Sequence, residues 1–140
     1  MRNFFAKLGS VSLGVSAVIG LILIWFPMDP PLMPPTIKGL IHISVVLIMS
    51  LFIVIALSLF GKAFKHMTNL VWLSKYSYSI SIILFTAASI TGLFALVHDS
   101  SLVGLTEKLP IGAFLSWILL VAIGILKSDK RIKYYLINSR

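Results

Sequence analysis

An all-α integral membrane bundle of four transmembrane helices is the fold this sequence predicts, and three observations predict it. Charged residues are only 11% of the 140. A soluble domain carries about 25%, so this chain has too little charge to cover a water-facing surface. Hydrophobic residues make up 59%, and the mean hydropathy is +1.04. Four apolar runs, each near the roughly 20 residues that cross a hydrocarbon core, are separated by the chain's charges and prolines. The length suits one membrane domain, residues 1–140.

The net charge is +8 and the pI about 10.1. The basic residues flank the apolar runs, so they read as topogenic charge and as attraction to membrane lipids of an anionic inner leaflet. No water-soluble segment has an aromatic-rich basic face, so no nucleic-acid partner is expected. There is no cysteine. That excludes disulfides, thiolate metal sites and cysteine nucleophiles.

The first span is expected at 8–26. Arg2 and Lys7 precede it in the manner of a signal peptide, but the apolar run is too long for a signal h-region and reads as an uncleaved span. Ser12, Ser16 and Gly20 recur every four residues, a spacing that lets another helix approach closely. A proline-rich outer hairpin follows, Trp25 to Lys38, with five of the six prolines. Proline has no backbone N–H and clashes with the preceding turn, so this run must be a stiff turn between helices. The second span is expected at 39–60, with His42 one turn inside its start. The connector 61–75 mixes basic residues with Phe64, Leu70, Trp72 and Leu73, which suggests a short amphipathic helix lying at the interface, with a lipid head-group or partner site as the functional alternative.

The third span is expected at 76–97, with Ala88 and Gly92 at helix-packing spacing. The fourth is expected at 110–126, opening on Pro110, since the first turn of a helix tolerates proline. Gly112, Ser116 and Gly124 share one of its faces, and an apolar lead-in at 102–105 extends it. The basic tail is 127–140.

Orientation follows from the lysines and arginines. Ten of the twelve lie in the N-terminus, the connector and the tail, against Lys38 and Lys108 on the other side. The positive-inside rule then places both termini in the cytoplasm (N-in, C-in) and the proline hairpin outside. Asp29, His42, His98, Asp99 and Glu107 all fall on the outer side. They are the candidate polar or ligand site. An ionisable group within a span is costly and is a functional candidate by default.

Three readings of these residues stay open: caps and local hydrogen bonds, a polar pocket that binds a ligand or moves a proton, or a metal site. Zinc needs three or four convergent ligands, whereas these lie on separate segments without a spacing such as His-x-x-x-His. No metal and no cofactor are therefore expected. No P-loop, nucleophile elbow or His-Glu-x-x-His motif occurs, and no catalytic residue is assigned.

Phe26-Pro27-Met28-Asp29, followed by Gly39-Leu40-Ile41-His42, resembles the bacterial and archaeal membrane family catalogued as domain of unknown function 998. Gly104-Leu105-Thr106-Glu107-Lys108-Leu109, followed by Trp117, is similar to its last loop and helix. The resemblance spans residues 21–126. It implies a polytopic helical bundle in the cytoplasmic (inner) membrane of a prokaryote, and it draws attention to Asp29 and His42. It supplies no activity. Typical members look like six-span proteins, so a four-span form implies a face covered by lipid, a homo-oligomer mate or a larger membrane complex. The expected function is a non-catalytic accessory or interaction subunit of a membrane assembly. The alternative is a membrane enzyme or carrier for a lipid-like substrate, with Asp29 and His42 as its outer-side polar centre.

Overall fold

The computed structural model describes residues 2–30, 34, 36–97 and 103–138, with the backbone alone at 2–3, 92, 94–97, 103–107 and 129–138. All regular structure among them is helical: α1 (Arg2–Ile22), α2 (Ile37–Lys65), a 3₁₀ turn (Thr68–Leu70), α3 (Val71–Val97) and α4 (Val103–Asn138). Four stretches are long and apolar enough to cross a membrane: Phe4–Ile22, Ile37–Lys65, Thr68–Thr91 and Lys108–Ser128. The chain is a multi-pass membrane protein.

Helix α1 ends at Ile22, four residues before the apolar run does. From there the amides of Leu23, Ile24, Trp25 and Phe26 each bond the carbonyl three residues back, at 3.1–3.3 Å. The residue before a proline is pushed out of the α region, and Pro27 imposes that on Phe26. The helix therefore tightens and stops. Helix α2 starts two residues before the expected boundary, because Thr36 caps it. The Thr36 backbone is extended (φ −93°, ψ 164°), and its side chain accepts from the Gly39 amide. At 29 residues, α2 is about 44 Å long. It outruns the ~30 Å hydrocarbon core and ends with Lys62 and Lys65 in its last turn, where cations suit the helix dipole.

The segment 61–75 is not one amphipathic helix on the bilayer surface. Residues 61–65 finish α2 and 71–75 open α3, leaving only a tight turn between. Three of its apolar members point inward: Phe64, Leu70 and Leu73 are buried and belong to the core with Leu57, Ile80, Leu84 and Trp117, while Val71 and Trp72 are exposed. The apolar–basic mixture marks a turn that closes a core, with the lysines left at the rim. Pro110 also differs from expectation. It lies inside α4, seven residues past the start, where it removes the bond to the Thr106 carbonyl and favours a kink. The first part of the basic tail continues α4 to Asn138.

Neighbouring helices run antiparallel, as the pairings require. A Cβ on Gly9 would meet the Phe60 ring at 3.0 Å, and one on Gly20 would meet Met49 Sδ at 3.2 Å. Across α2 and α3, Ser58 Oγ and Ser81 Oγ are 3.1 Å apart, and Ser81 also donates to the Val54 carbonyl at 3.2 Å. Across α3 and α4, Trp117 Nε1 donates to Ser77 Oγ at 2.8 Å and Tyr76 Oη lies 2.7 Å from Ser116 Oγ, while the later Gly124 of α4 meets the earlier Leu73 of α3. The backbones touch in chain order, α1 on α2, α2 on α3 and α3 on α4, with no α1–α4 closure among the described residues. The bundle is a row. Side chains alone bridge α2 to α4, through the Phe60 and Trp117 rings at 5.5 Å.

The small residues divide. Ser16 is buried, with its hydroxyl on the Leu13 carbonyl, and Gly124 lies against Leu73. Ser12 and Ala88 are half-buried. Gly112 faces open space, while Gly9 and Gly61 are the close-approach positions that residue spacing did not reveal. Helical geometry at Gly92 is described, its surroundings are not.

The Trp117–Ser77 bond is buried on both sides. Ser77→Ala strands the indole N–H and lowers stability by about 1–3 kcal/mol. A double-mutant cycle with Trp117→Phe gives a coupling of about 0.6–1.7 kcal/mol. Unfolding of the purified chain by titrated dodecyl sulfate, followed by circular dichroism, measures both. Additive losses would mean that the two side chains do not bond.

Candidate functional site

The hairpin between α1 and α2 is held by two sets of side-chain bonds. In the first, Asp29 reaches seven residues along the chain to Thr36. One carboxylate oxygen, Oδ2, accepts the Thr36 backbone N–H at 2.7 Å, and Oδ1 accepts the Thr36 hydroxyl at 2.6 Å. The Thr36 hydroxyl oxygen in turn accepts from the Gly39 amide at 3.2 Å. The carboxylate also lies against Gly39, in the space that a Cβ there would fill. Gly39 is buried for that reason, and a bare Cα is what lets an anion rest on the first turn of α2.

In the second set, His42 Nδ1 donates to the Phe26 carbonyl at 2.7 Å. That carbonyl belongs to the frayed end of α1. One imidazole thus clasps the exit of α1 to the second turn of α2, and the bond fixes the proton of the neutral ring on Nδ1.

The environment holds the Asp29 carboxyl below its ordinary value of 3.8, chiefly through the Thr36 hydroxyl, then through the Thr36 N–H; partial burial opposes them, and the nearby His42 adds the smallest lowering effect. Asp29 and His42 therefore share a region without forming one reactive pair. Each is engaged by the chain's own backbone.

The other candidates divide as follows. His98 and Asp99 lie outside the described residues. Glu107 is on α4, and its side chain lies outside them too. Among the described residues no group of three or more His, Cys, Asp or Glu is placed to hold a metal ion. Residue spacing did not reveal Thr36 or the Phe26 carbonyl. A signal for Thr36 was present, since a threonine immediately before an apolar run is an N-cap signature. The carbonyl had none, because a backbone acceptor carries no residue-type mark.

The family model described as protein of unknown function (DUF998) matches residues 1–124. No curated protein and no solved structure matches the chain.

The anchor's pH dependence has a definite sign. A carboxyl whose folded pKa is depressed contributes stability that is complete above the unfolded value and fades as pH falls through the folded one. Thermal melts of the wild type should therefore hold steady down to about pH 4 and lose a contribution below it. Asp29→Ala should lack that contribution above pH 4 and change less below. Gly39→Ala should resemble Asp29→Ala, because its methyl displaces the carboxylate. Thr36→Ala should cost about 1 kcal/mol through the lost cap.

Proposed function

This chain belongs to DUF998, and we propose that it is a non-catalytic accessory or interaction subunit of a membrane assembly. It sits in the inner membrane of a prokaryote with both termini in the cytoplasm. The observation that carries the reading is the engagement of Asp29 and His42. The two residues best suited to an outer-side reactive centre bond Thr36 and the Phe26 carbonyl, and in doing so close the α1–α2 hairpin. Both Asp29 oxygens and His42 Nδ1 are taken up in this way, which leaves His42 Nε2 as the one polar atom of the two side chains outside the clasp, where a reactive centre needs several groups meeting substrate together. A hairpin clasp does not.

The row of helices adds support. Among the described residues helix α1 packs on α2 alone, and its Val11, Val18 and Leu21 are exposed. On α4, Leu115 and Leu119 are exposed beside Gly112, whose surface is open. In a bilayer such faces meet lipid tails or another helix, and small residues favour the helix. The partner is a second copy or a different membrane protein, and the lysine-rich ends also meet anionic lipid.

Because the chain has no cysteine, a single introduced thiol is unique. Val18→Cys on α1 and Leu115→Cys on α4, treated with a bifunctional thiol–photoreactive reagent in native membranes, should yield one discrete cross-linked protein. Mass spectrometry would identify it. The same product should form in a His42→Ala background. A lipid-like ligand or an enzymatic activity that co-purifies with the wild type and disappears in His42→Ala would replace this reading with that of a carrier or enzyme.

A further inference from the structure

A shallow cleft of about 90 Å³ lies at the end of the molecule opposite the hairpin, lined by Asn69, Leu70, Trp72, Gly124, Lys127 and Ser128. That is several times the ~10–15 Å³ one water needs. Residue spacing builds it. Gly124, Lys127 and Ser128 fall at i, i+3 and i+4, so they share one face of α4. Asn69 and Trp72 come from the 3₁₀ turn and the first turn of α3. The floor is apolar, made of buried Leu70 and bare Gly124. A Cβ at position 124 would meet Leu73 Cδ1 at 2.7 Å, with Trp72 at 3.5 Å and Leu70 at 3.6 Å, so the bare Cα lets α4 sit directly on these side chains at the floor.

The rim is made of donors. Lys127 offers an ammonium, Asn69 an amide and Ser128 a hydroxyl. Among the described side chains that line it, none carries a carboxylate. Trp72 is exposed, and indoles of this kind concentrate where headgroups begin. The depth agrees. Pro110 and Lys127 are 17 residues apart, about 26 Å along a helix, close to the ~30 Å hydrocarbon thickness. Lys127 therefore reaches headgroup level when Pro110 is at the other surface. Lys62, Lys65 and Lys75 lie at the same end of α2 and α3 and add to its positive field.

We propose that this cleft is a headgroup site for one anionic phospholipid. Lys127 faces the phosphodiester charge, Asn69 and Ser128 donate to its free oxygens, and Trp72 lies along the glycerol region. A free phosphate ion would share the donors but not the apolar floor, and it would not draw on an indole at the hydrocarbon boundary. The chemistry recognised is the same, a phosphate oxyanion. The floor and the depth assign the lipid as its source.

The test is native mass spectrometry of the full chain released from micelles doped with phosphatidylglycerol or phosphatidylcholine. One phosphatidylglycerol per chain should be retained in preference to phosphatidylcholine. Retention should fall about tenfold in Lys127→Gln, as expected for loss of one charged hydrogen bond. Asn69→Ala and Ser128→Ala should weaken it less. Lys65→Gln, at the same end but outside the cleft, should lower it far less than Lys127→Gln does. An equal loss in Lys65→Gln, or equal retention of phosphatidylcholine, overturns the site. Displacement of the lipid by inorganic phosphate overturns the lipid assignment and leaves a free-anion site.

Discussion

Five prolines between α1 and α2 remove five backbone donors from a single hairpin. Such a segment cannot knit itself together by main-chain bonds, and near a bilayer it cannot leave carbonyls and amides unpaired at low cost. Its closure therefore falls to side chains. The Phe26 carbonyl, beyond the last full turn of α1, is taken by His42, and the Thr36 amide, ahead of α2, is taken by Asp29. Each bond joins the loop to the first turns of α2. The angle at which α1 returns against α2 depends on these bonds, and so does the register that brings Gly20 to Met49 and Gly9 to Phe60.

The packed core sits at the other end. Leu57, Phe64, Leu70, Leu73, Ile80 and Trp117 close around the turn between α2 and α3. Lipid tails are as apolar as leucine, so hydrophobic burial does not drive these helices together; close fit and interhelical hydrogen bonds do. The core follows that rule. Gly61 lets the Tyr78 ring approach within 3.0 Å of where a Cβ would stand. Ser77, Ser81, Tyr76 and Ser116 supply the cross-helix bonds. Short connection and tight fit reinforce each other, since a five-residue turn keeps α2 and α3 adjacent whatever α1 and α4 do.

Much of this was legible in the sequence. Hydropathy identifies spans because lipid imposes one demand on every residue of a crossing helix, and the proline cluster breaks the pattern visibly. Asp29 and His42 stood out because ionisable groups are scarce here. Helix ends were less legible. The early stop of α1 depends on Pro27 acting backwards on Phe26, and the early start of α2 depends on Thr36 finding both Gly39 and Asp29. The segment 61–75 was misleading for a physical reason: a strip of apolar residues among lysines has the same composition whether it lies on a bilayer or lids a core. Only the partners distinguish the two: Leu73 lies against Gly124, about fifty residues away on α4, and Phe64 stacks on Phe60 in the same core. Gly9 and Gly61 escaped because a glycine's use depends on the ring opposite it.

The two ends of the molecule differ in how their polar groups are satisfied, and that difference bears on function. At the hairpin, Asp29 and Thr36 bond each other and the start of α2, and His42 Nδ1 bonds the Phe26 carbonyl, which makes a clasp between α1 and α2. At the turn end, Asn69, Lys127 and Ser128 stand around an open cleft whose floor is apolar. Polar groups that line an open cleft are met by water, lipid or a partner. The functional surface of this chain is then better sought where its donors point outward, at the basic end, than at the residues whose charge makes them conspicuous.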